Sequence, residues 1–188
     1  MGKEEYRLRR MATFVRGKPR VLDIGWTELP NTYLDNEEVV GLDRVEGDMP
    51  SNYSECVTGD ATDLPEPFGR ESFDALVAGE IIEHMERPVD FLRGCRAALS
   101  PGGVLVLSTP NPNSLIERAL TVFLCRKRFY TATHVMLYPQ RWLIRMLERA
   151  GFAEVELHSG GFPLPPFGTI PFPRPWCYQT IAVARKGI

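Results

Sequence analysis

Acidic residues and glycines repeatedly follow short apolar runs in this sequence, and this spacing can build a ligand site. They are Asp23, Gly25, Asp43, Asp60, Gly79 and Glu80. If the apolar runs are parallel strands, these residues meet at one edge of a sheet, where open α/β folds bind their ligands. Carboxylates there can accept hydrogen bonds from ligand hydroxyls, and glycine lets the backbone approach a ligand closely.

Glutamate and histidine residues close to this group suggest proton transfer or metal binding. Glu80, Glu83 and His84 have i, i+3 and i+4 spacing, so a helix would place them on one face that could hold a divalent cation. His84 and His134 are also candidates for a general base, because the reference pKa of histidine is about 6.5. The alternative for each histidine is a structural hydrogen bond to the backbone.

The composition fits a single domain of 188 residues with a 44% hydrophobic content, enough for one core. Its 22 basic and 24 acidic residues give a net charge of -2, which offers no general attraction for nucleic acid or an anionic bilayer. The cysteines are widely separated, and no uncharged apolar run is long enough to cross a membrane. We therefore expect a cytoplasmic protein with no stable membrane insertion and no nucleic-acid partner.

Apolar periodicity predicts alternating strands and helices. The predicted strands cover residues 20–25, 39–43, 54–58, 73–78, 104–109, 153–158 and 177–184. Helices are predicted over 88–99 and over 139–150, the second with Trp142, Leu143, Met146, Leu147 and Ala150 on its apolar face. A capping box at Ser114 predicts the start of another apolar helix. This alternation is typical of a three-layer α/β fold.

Several segments together resemble the class I S-adenosylmethionine-dependent methyltransferases, particularly the branch with the ubiquinone-pathway O-methyltransferases. The resemblance extends over about residues 20–158 and is carried by Asp43, His134 and the segments 23–29, 59–61, 78–84, 108–111 and 148–152. It implies a Rossmann-like sandwich around a mostly parallel seven-stranded sheet whose last strand is antiparallel. It also implies S-adenosylmethionine as cofactor and S-adenosylhomocysteine as product.

The resemblance assigns the site residues. Those expected to bind the cofactor are Asp23, Ile24, Gly25, Trp26, Leu42, Asp43, Arg44, Asp60, Ala61, Ala78, Gly79 and Glu80. Gly25 would lie by the methionine moiety, and Asp43 by the ribose hydroxyls. Glu83, His84 and His134 are the candidate catalytic residues. Ubiquinone-pathway relatives carry a similar ExxEH, so a metal role is an alternative, but no metal is assigned.

The first motif departs from the family pattern. Thr27 and Leu29 occupy positions where the motif has glycines, and the segments joining Asp23, Asp43 and Asp60 are short and contain helix-breaking residues. We therefore expect the first helices to be shortened, and Tyr6 or Arg7 to supply a compensating contact to the methionine carboxylate. An inactive cofactor-binding module is the alternative function. A nicotinamide-dependent oxidoreductase is disfavoured because GxGxxG is absent.

Two segments are candidates to cover the acceptor: about 112–134, and the proline-rich loop 160–175. An apolar helix in the first could shape a pocket, touch a lipid surface, or simply be buried in the domain. We expect one domain over 1–188 that methylates a small molecule or glycoconjugate, at oxygen. Peripheral membrane contact is left open, as are the monomer and the homodimer.

Overall fold

The computed structural model describes residues 1–123 and 134–187. Its helices and strands follow in the order α1 (Lys3–Val15), β1 (Arg20–Ile24), β2 (Glu38–Asp43), β3 (Glu55–Thr58), β4 (Phe73–Gly79), α2 (Pro88–Ala98), β5 (Leu99–Pro110), α3 (Leu115–Phe123), α4 (Gln140–Arg149), β6 (Glu154–Ser159), β7 (Phe162–Pro163), β8 (Thr169–Ile170) and β9 (Gln179–Arg185). No helix in this part of the chain is long and apolar enough to cross a membrane.

The central sheet has seven strands in the order β3-β2-β1-β4-β5-β9-β6. The pairs among β1 to β5 are parallel, and β9 is antiparallel to both of its neighbours. The Rossmann-like sandwich and the antiparallel last strand are therefore confirmed. Strand order reverses between β1 and β4, which is the position where a crevice for a ligand opens in such sheets.

Helices cover the two faces of the sheet unequally. One face packs against α2 and α4, and the other packs against α1 and the segments that follow β1 and β2. The sequence analysis missed α1 as a helix because charged residues crowd it. Its buried residues Leu8, Met11, Ala12 and Val15 nevertheless have i, i+3, i+4 and i+7 spacing, which would have been the signal.

The shortened first helices are confirmed, and the shortening is complete. Residues 25–37 and 44–54 contain turns but no helix. Trp26, Leu34 and Tyr53 are buried in their place and pack with Val21 and Val39 of β1 and β2. Single large side chains therefore cover an area of sheet that helices would otherwise cover.

One expectation about the helices is wrong, and another is confirmed. The prediction that Trp142 lies on the buried face of α4 is wrong: the residue is 66% exposed, because Leu143 and Leu147 fill the core side. The cap at Ser114 is confirmed, since Ser114 Oγ accepts a hydrogen bond from the Glu117 amide at 3.1 Å. Residues 124–133 of the proposed first cap segment lie outside the described residues.

We predict that Trp26→Ala lowers the free energy of unfolding by about 3–5 kcal/mol, because it empties a buried volume between the sheet and Tyr53. Trp142→Ala is the matched control, and it should change stability by less than about 0.5 kcal/mol. Urea unfolding of both variants measures the difference. Equal effects would contradict the packing described for residues 25–37.

Candidate active site

A crevice with a volume of about 1280 Å³ opens at the carboxyl ends of β1, β2 and β4. Its walls bring together most of the residues predicted for the site: Asp23, Ile24, Gly25, Leu42, Asp43, Arg44, Asp60, Ala61, Gly79, Glu80, His84 and His134. This volume exceeds that of most drug-sized pockets, so it has room for a nucleoside cofactor together with an acceptor.

Three predicted site residues do not line the crevice. Trp26 is buried and packs against Tyr53, and Ala78 is buried within the core. Glu83 is fully buried behind the wall. The side chains of Trp26 and Ala78 pack in the core, so a contact of either residue with the cofactor through its backbone stays a prediction.

Gly25 meets the conformational demand of the first turn. Its φ of +77° lies in the left-handed region, and a Cβ there would collide with the side chain of Ile81. Its amide donates to the carbonyl of Leu42 at 2.8 Å. The turn after β1 is thus held against the end of β2, beside the crevice.

Asp43 joins the loop that follows β1 to the loop that follows β2. Its Oδ2 accepts from the Thr27 amide at 2.9 Å and its Oδ1 from the Val45 amide at 3.3 Å. The Thr27 hydroxyl donates to the Val45 carbonyl at 3.0 Å. Thr27, which replaces a motif glycine, therefore ties the two loops together while Asp43 still faces the crevice.

Asp60 is a cap as well as a wall residue. Its Oδ1 accepts from the amide and the hydroxyl of Thr62, at 2.9 and 2.8 Å. The Thr62 amide, followed by the Thr62 hydroxyl and the Arg44 guanidinium, holds the pKa of Asp60 below its usual value despite partial burial. Asp60 thus caps the short turn Ala61–Asp63 through its side chain.

Arg7 reaches the crevice from α1. It is only 4% exposed, and its Nη1 lies 3.3 Å from Glu80 Oε1 and 3.5 Å from Ser108 Oγ. The Ser108 hydroxyl donates to the same Glu80 oxygen at 3.0 Å. The Nε of Arg7 is buried without a hydrogen-bond partner in the described chain. Of the two residues considered for the methionine carboxylate, only Arg7 lines the crevice.

The cluster of Glu83, His84 and His134 differs from the predicted one. Glu80 has a φ of +58° and only Ile82–His84 form a short 3-10 turn, so a helical face joining Glu80, Glu83 and His84 does not exist. Instead, a ligand atom from each of Glu83, His84 and His134 lies within 4.8 Å of the other two. The histidine rings are 4.9 Å apart, edge to face.

Glu83 is a fully buried carboxyl group. Its Oε2 accepts from the Thr109 hydroxyl at 3.0 Å, while Oε1 has no partner among the described residues. Burial, reinforced by the charge of Glu80, raises the pKa of Glu83 to about 8. Burial, reinforced by His84, lowers the pKa of His134. At neutral pH Glu83 therefore keeps its proton, and His134 is uncharged and able to accept one.

Part of the crevice lining was not predicted from the sequence. Lys3, Met85, Pro110, Tyr178 and Gln179 also line it. They come from four separate parts of the chain, and no local motif connects them. The loop 160–175 contributes none of the residues that line the crevice, so its covering role stays a prediction.

Comparison with known proteins agrees with this geometry. Residues 6–157 match the family described as "Methyltransferase domain". The solved structure of a SAM dependent methyltransferase from Archaeoglobus fulgidus superposes with a TM-score of 0.70 and 23% identity, covering 97% of this chain and 92% of that one. The chain therefore belongs to the class I S-adenosylmethionine-dependent methyltransferases, as the sequence motifs predicted.

Two relatives are O-methyltransferases. A ubiquinone biosynthesis O-methyltransferase of Rhodopseudomonas palustris is 31% identical over 163 residues, which covers 76% of this chain and 57% of the relative. The erythromycin 3''-O-methyltransferase of Saccharopolyspora erythraea is 36% identical over 126 residues, covering 64% and 40%. The matches thus span only about half the length of these relatives.

We predict that Asp43→Ala weakens binding of S-adenosylhomocysteine by about 1.5–3 kcal/mol, the range for hydrogen bonds to a charged group. Calorimetric titration measures it, with Asp48→Ala as control because Asp48 is exposed and does not line the crevice. Unchanged affinity in Asp43→Ala would show that this carboxylate does not bind the cofactor.

A second prediction concerns pH and stability. Glu83 has a raised pKa when folded, so between about pH 4.5 and 8 the unfolded chain has lost a proton that the folded chain keeps. This contribution to stability is full below pH 4.5 and is lost as the pH rises through 8. Glu83→Gln removes the dependence, so the stability of that variant relative to wild type should improve from pH 5 to pH 8.

Urea unfolding at both pH values tests this, with Glu86→Gln as control because Glu86 is exposed. The control should follow the wild-type profile. Parallel profiles for wild type and Glu83→Gln would mean that Glu83 ionises normally in the folded protein.

Proposed function

We propose that this chain transfers a methyl group from S-adenosylmethionine to an oxygen of a small molecule or glycoconjugate. One observation supports this proposal most strongly. His84 and His134 lie in contact with each other and line the same crevice as the residues at the end of β4. The names of the two relatives support oxygen as the methylated atom. A cytoplasmic location and a monomeric or homodimeric state stay predictions.

The chain offers matching groups for each part of the cofactor. Asp43 would accept hydrogen bonds from the ribose hydroxyls, and Asp60 with Ala61 would flank the adenine. Arg7 would bind the methionine carboxylate, because its buried Nε has no partner in the described residues and an anion would supply one. The bound cofactor supplies an electrophilic methyl group on a sulfonium.

The side chains of the crevice would orient the acceptor and take its proton. Methyl transfer is an in-line displacement, so positioning accounts for much of the rate. A hydroxyl acceptor must lose its proton, and the imidazole of His84 or His134 is placed to accept it. Glu83, protonated and held by Thr109, would support the two rings without competing for that proton.

The same three residues offer a second use. Glu83, His84 and His134 present one carboxylate and two imidazoles at a separation that fits a divalent cation. Metal binding would deprotonate Glu83 and take up the imidazole lone pairs, so the histidines could not then act as bases. The two roles therefore make opposite predictions about a chelator.

We predict that His84→Gln lowers turnover by about a hundredfold to ten-thousandfold while the affinity for S-adenosylhomocysteine stays near wild type. Transfer of a radiolabelled methyl group to a panel of catechols and glycosides measures turnover. His158→Gln is the control, because His158 packs on Phe14 outside the crevice. Loss of activity with EDTA and its recovery with magnesium would show that these residues bind a metal ion and do not act as a general base.

One outcome would reject His84 as the base, and another would oppose the proposed activity itself. Near wild-type turnover with a lowered melting temperature in His84→Gln would leave that histidine a structural role only. Tight binding of S-adenosylhomocysteine without methyl transfer to any acceptor in the panel would favour the inactive cofactor-binding module.

We also predict that Arg7→Gln weakens binding of S-adenosylhomocysteine by about 1.5–3 kcal/mol but leaves binding of methylthioadenosine unchanged, because the latter lacks the carboxylate. Calorimetry with both ligands measures this. Arg9→Gln is the matched control on the exposed side of α1. An equal loss for both ligands would show that Arg7 supports the crevice without binding the carboxylate.

A further inference from the structure

Asn31 is a fully buried polar residue in the segment that replaces the first helix. Its amide donates to Tyr53 Oη at 3.0 Å and to Asp23 Oδ2 at 3.3 Å. Its side-chain Nδ2 donates to the carbonyl of Leu8 at 3.3 Å, and its Oδ1 accepts from the Tyr33 amide at 3.2 Å. Both the backbone and the side chain of Asn31 are thus bonded.

These bonds connect three separate parts of the molecule. Asp23 is the penultimate residue of β1, Tyr53 belongs to the second helix-free segment, and Leu8 lies in α1. Tyr53 also donates its hydroxyl proton to Asp23, and the Asn31 carbonyl accepts from Asn52 Nδ2 at 3.2 Å. We call Asn31 with Asp23, Tyr53 and the Leu8 carbonyl the Asn31 junction.

The junction lies immediately next to the cofactor contacts on α1. Leu8 follows Arg7 in the chain, and both of them line the crevice together with Asp23, whereas Asn31 does not. Asn31 therefore cannot bind the ligand directly. It can affect the ligand only through the elements that it joins, and Arg7, next to Leu8 on α1, is a charged residue that lines the crevice.

We propose that Asn31 is a positioning residue for cofactor binding, which ties α1 to the end of β1 and so holds the Arg7 guanidinium where the methionine carboxylate binds. This rests on the role proposed above for Arg7. The tie acts at the Leu8 carbonyl of α1, in the residue that directly follows Arg7.

A second asparagine in the same segment provides a matched control. Asn36 Nδ2 donates to the carbonyls of Val15 and Lys18, both at 2.8 Å. It therefore ties the same segment to the other end of α1, away from Arg7. Loss of either asparagine removes a tie to α1, but only Asn31 acts next to the crevice.

The test is a double-mutant cycle on the affinity for S-adenosylhomocysteine. Asn31→Ala should weaken binding about fivefold to twentyfold in the wild-type background and less than twofold when combined with Arg7→Gln. Binding of methylthioadenosine should change less than twofold. Asn36→Ala should lower the melting temperature and leave both affinities unchanged.

Tyr53→Phe provides a second route if Asn31→Ala does not fold. It removes the hydroxyl that accepts from the Asn31 amide and keeps the ring packed against Trp26, so a smaller loss with the same dependence on Arg7 is expected. Equal losses in both Arg7 backgrounds, or equal losses for both ligands, would overturn the proposal. No effect of Arg7→Gln alone would instead reject the role proposed for Arg7.

Discussion

The shape of the crevice depends on hydrogen bonds to buried polar groups in the two segments, 25–37 and 44–54, that contain no helix. A helix bonds its own backbone, whereas the turns over 25–37 and 44–54 must find partners elsewhere. Asn31, Asn52 and Tyr53 supply them, and Asp23 accepts two of the resulting hydrogen bonds. Because this network joins β1, both turns and α1, the position of the crevice walls follows from it.

Asp23 and Asp43 bond to other parts of the protein in this network. Their carboxylates therefore stabilise the fold with oxygens that could otherwise bind the ligand. Burial raises the pKa of Asp23 to about 6, and the hydrogen bonds from Tyr53 and Asn31 oppose that rise. The two carboxylate oxygens of Asp43 likewise accept hydrogen bonds from the amides of Thr27 and Val45. The Thr27 amide is thus already bonded within the protein, and the buried Arg7 guanidinium from α1 is the positive group that we propose for the methionine carboxylate.

Much of the fold could be predicted from the sequence because strand-end residues and apolar periodicity are local signals. The runs ending at Asp23, Asp43 and Gly79 are strands of the sheet, and their order follows the family pattern. The α1 helix was missed because its many charges masked a regular apolar spacing. Trp142 was placed wrongly because spacing on a helix gives a face only to within one neighbouring position.

The site was harder to predict where it depends on contacts between distant segments. The predicted helix through Glu80, Glu83 and His84 fails at the left-handed backbone of Glu80, which no spacing rule reveals. His134 joins Glu83 and His84 because the amides of Val135 and Met136 bond the Glu83 carbonyl, a contact across some fifty residues. Tyr178 and Gln179 enter the crevice only through the pairing of β9 with β5.

We propose that α1 and the two helix-free turns together form the cofactor site, in place of a glycine-rich loop and helix. A crystal structure of the complex with S-adenosylhomocysteine tests it most directly. In that complex the methionine carboxylate should accept hydrogen bonds from the Arg7 guanidinium, with Asn31 still bonded to the Leu8 carbonyl and not touching the ligand. A carboxylate bound by the backbone amides of residues 25–29, with Arg7 turned away, would contradict it.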